Sequence, residues 1–75
     1  MFKDKLILLR KEKGLSQTEL GEILSISQRS LSRLETGETF PDEQLLNNIA
    51  DYFKVSVDYL MDRTTIRNIY DWLGI

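Results

Sequence analysis

Between Ser16 and Gly37 the chain packs two helix starts and one helix stop into SQTELGEILSISQRSLSRLETG. Ser16 can accept from the backbone N–H of Glu19 while Glu19 reaches back to the N–H of Ser16, so Ser16-Gln17-Thr18-Glu19 is a capping box. Leu15 and Leu20 flank it as a hydrophobic staple. Ser27 caps a second helix, with Ile26 and Leu31 as its staple, and Gly37 supplies the left-handed residue that ends it. Helices of about two turns are too short to persist alone. The stretch therefore demands a tight turn between two helices and further helices to pack against.

The second of these helices, Gln28 to Thr36, sorts its side chains by face. At about 100° per residue, Leu31 and Leu34 point one way, and Gln28, Arg29, Ser32, Arg33 and Thr36 the other. The polar face holds two guanidinium groups, one amide and two hydroxyls, and no carboxylate. Such side chains read base edges: Arg is bidentate to guanine, Gln is bidentate to adenine, and Ser or Thr bonds either.

The net charge of −2 works against general phosphate attraction. Its distribution does not. Residues 1–37 hold seven cations and five anions, net +2, while residues 38–75 hold three cations and seven anions, net −4. The reading helix lies in the positive half, and the acidic half is expected to point away from DNA.

Seventy-five residues suit one small domain, and 41% apolar with 29% charged residues is ordinary for a globular one. The chain has no Cys and no His. Disulfides and thiolate chemistry are thereby excluded, and the commonest metal ligand and general base is missing. No metal, cofactor or small-molecule ligand is expected, and no catalytic constellation is visible. No apolar run can span a bilayer and Met1-Phe2-Lys3-Asp4-Lys5 lacks a signal-peptide core, so the expected location is cytoplasmic.

Helical spacing extends on both sides. Phe2, Leu6 and Leu9, with Ile7 beside them, mark a first helix over residues 2–13 that Gly14 ends. Helix 2, Gln17 to Leu24, is expected to bury Leu20, Ile23 and Leu24. Asp42 after Pro41 caps a fourth helix, Glu43 to Phe53, and Ser56 caps a short fifth, Val57 to Met61. Beyond residue 63, Ile66, Ile69, Tyr70 and Leu73 fall on one face of an extra C-terminal helix, a candidate dimer surface in a 64–75 tail.

The motifs Leu15-Ser16-Gln17-Thr18-Glu19-Leu20, Ile26-Ser27-Gln28 and Leu31-Ser32-Arg33-Leu34-Glu35-Thr36-Gly37 resemble the lambda-repressor-like helix-turn-helix family of phage repressor and Cro type. The likeness runs on through Pro41, Leu45-Leu46, Ile49-Ala50 and Val55-Ser56-Val57-Asp58-Tyr59-Leu60. It implies an all-α, five-helix DNA-binding domain over residues 1–63. It further implies major-groove reading by Gln28, Arg29, Ser32 and Arg33, with Gln17, Ser27, Thr36 and Thr39 on the DNA backbone. An ion pair between Arg10 and Glu35 is also implied. Two positions depart from the pattern: Gly21 stands where Ala is usual, and Ser25 where the turn usually has Gly.

The expected function is sequence-specific recognition of double-stranded DNA, on a palindromic operator and as a homodimer, by a non-enzymatic transcriptional repressor of phage or mobile-element type. The alternative is an antitoxin or anti-regulator that seizes a partner protein through its acidic C-terminal half.

Overall fold

The computed structural model describes residues 1–65 and Arg67. Ile66, Ile69, Tyr70 and Leu73, the expected dimer stripe, lie outside the described residues. Among those described, the elements are five helices: α1 (Phe2–Glu12), α2 (Gln17–Leu24), α3 (Gln28–Thr36), α4 (Glu43–Phe53) and α5 (Val57–Leu60).

Four of the five starts have a side-chain cap. Ser16, Ser27, Asp42 and Ser56 each accept from the backbone N–H three residues on, at 3.0, 3.0, 2.8 and 3.0 Å. At α2 the Ser16 N–H also donates to Glu19 Oε1 at 2.9 Å, which completes the capping box. Those bonds to Ser16, backbone first and hydroxyl second, hold the Glu19 carboxyl below its usual range.

Every helix sends at least one side chain to the dry centre. Leu6 and Leu9 of α1, Leu20 of α2, Leu31 of α3, Ile49 of α4 and Leu60 of α5 are all fully buried. No helix here could bury such a side chain alone, so each depends on the helices packed against it. Ile23 is a correction: it is 42% exposed rather than part of the α2 core stripe. Its place on the helix is close to that of Leu20 and Leu24, but the neighbouring helices cover only those two.

The turn between α2 and α3 fixes the placement of α3. Ser25 is left-handed, at φ 60° and ψ 38°, and the N–H of Ile26 closes onto the carbonyl of Gly21 at 2.9 Å. Gly21 is buried, and a Cβ there would sit 2.9 Å from the Ile26 carbonyl oxygen. The departure from Ala is therefore matched to this backbone approach: with Gly the two chain segments touch, with Ala one must move.

α4 and α5 close the core beneath the motif. Lys54 ends α4 in the left-handed region, at φ 56°. After α5 the chain returns to α1: Asp62 pairs with the N-terminal ammonium and, at 2.9 Å, with Lys5. The hydrogen bonds to these two partners, the terminus first, hold the Asp62 carboxyl below its usual range. Arg67 Nη2 reaches Glu12 Oε1 at 2.7 Å.

Candidate nucleic-acid interface

α3 is amphipathic over its whole length. Leu31, Leu34 and Glu35 are buried, while Gln28, Arg29, Arg33 and Thr36 are exposed and Ser32 is half-buried. The buried carboxylate is neutralised. Arg10 Nε donates to Glu35 Oε2 at 2.7 Å and Arg10 Nη2 to Glu35 Oε1 at 2.9 Å, a bidentate pair that joins α1 to α3. The third guanidinium nitrogen, Nη1, donates to the Leu15 carbonyl at 3.0 Å. The bond to Glu35 outweighs desolvation and raises the already high pKa of Arg10.

The polar connections continue from this pair to the protein surface. Gln17 Nε2 donates to Glu35 Oε1 at 3.0 Å, and Gln28 Nε2 donates to Gln17 Oε1 at 2.6 Å. Gln17 and Gln28 are the first residues of α2 and α3, and the tight turn brings those two helix starts together. The side chain of Gln28 is thus positioned from within the core. The sequence placed both residues on the surface but held no signal of their contact, because the reach between two side chains depends on the angle between helices.

Other hydroxyls on this side serve the helices themselves. Ser27 Oγ caps α3 and donates to Ser30 Oγ at 3.0 Å. Thr36 Oγ1 donates to the Arg33 carbonyl at 3.1 Å. Thr39 and Phe40 lie in the exposed α3–α4 loop, where Phe40 is 58% exposed yet packs against Phe2, with the rings tilted by 59° and their centroids 5.3 Å apart. The structure brings Gln17, Gln28, Glu35 and Arg10 into one network and leaves Arg29 and Arg33 exposed beside it.

Among the described residues no group of His, Cys, Asp and Glu could hold a metal ion, and no helix is long and apolar enough to cross a membrane. A groove of about 370 Å³ lies between the start of α1 and the α3–α4 loop, with Phe2, Leu34 and Phe40 among its walls.

A helix-turn-helix family model matches residues 6–60. The HTH-type transcriptional activator BcrR of Enterococcus faecalis is 30% identical over 96% of this chain, which covers 41% of that protein. The chain spans 41% to 59% of the length of the curated relatives it matches. Among solved structures, the P22 c2 repressor with a synthetic operator shares 27% identity at a TM-score of 0.76, over 80% of this chain and 91% of that one. SinR in complex with DNA shares 33% identity at a TM-score of 0.75, over 83% of this chain and all of that one.

Proposed function

The chain belongs to the helix-turn-helix family, and on that premise we propose that it is a transcriptional repressor of phage or mobile-element type that reads double-stranded DNA with α3. The observation that carries this reading is the exposed face of α3. Gln28, Arg29 and Arg33 are exposed on a helix whose other face is locked by Leu31, Leu34 and the Arg10–Glu35 pair. The P22 c2 repressor and SinR structures named above, both with DNA, support the same target, and a prophage-derived regulator among the relatives supports the origin.

In this reading the N-terminal part of α3 enters the major groove. Gln28, Arg29, Ser32 and Arg33 meet base edges. Gln17, at the positive end of the α2 dipole, meets a phosphate near the start of α3, and Ser27, Thr36 and Thr39 meet the DNA backbone at the two ends of that helix. Binding changes occupancy of a promoter and needs no chemistry, so the protein acts without catalysis, in the cytoplasm where its DNA lies. A reading surface of one helix covers too few base pairs for useful specificity, and a homodimer on a palindromic operator doubles it. The 64–75 tail, with Ile66, Ile69, Tyr70 and Leu73 at helical spacing, is the proposed dimer surface.

Selection of bound duplexes from a random pool tests this reading. The expected product is a defined, palindromic site whose affinity falls steeply with salt. Recovery of no preferred sequence, with salt-insensitive binding to a protein through the acidic half, would replace it with the partner-binding reading.

A further inference from the structure

Arg33 and Glu38 face each other at the C-terminal end of α3. Arg33 Nε lies 3.9 Å from Glu38 Oε2, and the two side chains are 49% and 66% exposed. The backbone brings the two residues together. The N–H of Glu38 donates to the Arg33 carbonyl at 3.0 Å and that of Thr39 to the same oxygen at 3.3 Å, around a left-handed Gly37 at φ 82°. The turn that ends the helix therefore keeps Glu38 next to Arg33, with its carboxylate within reach of the guanidinium. The ion pair itself is too long and too exposed to hold anything in place.

A phosphate in contact with Arg33 would lie within a few ångströms of the Glu38 carboxylate, well inside the Debye length of about 8 Å at physiological salt, and would be repelled by it. A base edge carries no net charge. A guanidinium whose Nε side faces Glu38 still offers its two terminal nitrogens to a pair of acceptors such as O6 and N7 of guanine. Glu38 therefore weighs on the two kinds of contact unequally.

We propose that Glu38 is a specificity-determining residue, which keeps Arg33 for base edges by making phosphate contact at that position unfavourable. DNA at large is then bound less well while the preferred site loses little. The proposal rests on α3 being the DNA-reading helix.

The test is E38Q, measured on the selected duplex and on a random-sequence duplex of equal length, at several salt concentrations. Affinity for the random duplex should rise about three- to tenfold at low salt, and its salt slope should steepen by about 1 as one more phosphate is engaged. Affinity for the preferred site should rise less than about twofold, so that the specificity ratio falls, with no change in melting temperature. In R33A the same E38Q change should have little effect. Equal gains on both duplexes, no gain on either, or an undiminished gain without Arg33 would each overturn the proposal. A wild-type protein that discriminates between the duplexes keeps the DNA reading whatever E38Q does. One that binds neither duplex ends both.

Discussion

The two faces of α3 use the same nine residues for opposite purposes. The inner face is apolar apart from Glu35, whose charge is cancelled by a bidentate Arg10, and it is closed to water. The outer face is polar and open, with Arg29 and Arg33 carrying its charge. Burial makes the inner face intolerant, since each atom there has packed neighbours and each charge needs its partner. Exposure makes the outer face cheap to change for the fold, and so available for recognition. Stability and reading should accordingly separate when α3 is mutated one face at a time.

The strongest way to break this contrast is Leu31→Ala. Leu31 is fully buried, and the lost transfer energy plus the cavity should cost about 3–5 kcal/mol in chemical denaturation. The protein that remains folded should bind its preferred site within about threefold of wild type, a change of under 1 kcal/mol. A large affinity loss in the folded fraction would mean that the faces are not separable.

Glu35→Ala should come next. It strands the Arg10 charge, and because Arg10 keeps 14% exposure the cost should lie near the lower end for a broken buried pair, about 3 kcal/mol. Glu22→Ala, at an exposed position on α2, is the comparison, and equal melting temperatures for the two variants would show that the pair contributes nothing.

Smaller effects of opposite sign are expected at the turn that sets α3 in place. Gly21→Ala improves helix propensity by up to about 1 kcal/mol but puts a Cβ 2.9 Å from the Ile26 carbonyl, and the net result should be a loss of about 1–2 kcal/mol. Ser25→Gly should gain about 0.5 kcal/mol, because glycine bears no Cβ strain at φ 60°. Thermal melts of the two variants decide both signs. A stabilised Gly21→Ala would show that the two segments can part without cost.

What the sequence made legible was whatever is local in the chain. The four side-chain caps at Ser16, Ser27, Asp42 and Ser56 each depend on a few consecutive residues, and all stand in the structure. Ile23 misled because periodicity tells which residues share a face and says nothing about where a neighbouring helix stops covering it. Lys54 ends α4 in the left-handed region with no Gly or Asn to announce it. The Asp62–Lys5 and Arg67–Glu12 pairs join residues distant in sequence, among many exposed charges that could have paired otherwise. At the candidate interface, the outward residues of α3 followed from helical spacing alone. The Gln17–Gln28 bond did not, because it needs the inter-helix angle.

The central claim is that the outer face of α3 reads DNA, and it meets its most direct test in binding isotherms of Gln28→Ala, Arg29→Ala and Arg33→Ala. Each variant is to be measured on the selected site and on its single-base variants, with unfolding curves alongside. Each should lose about 1–3 kcal/mol on the preferred site, and at least one should lose discrimination at a defined base pair. All three should stay within about 0.5 kcal/mol of wild-type stability, as exposed positions do. Three variants that keep full affinity and full base preference would contradict the account.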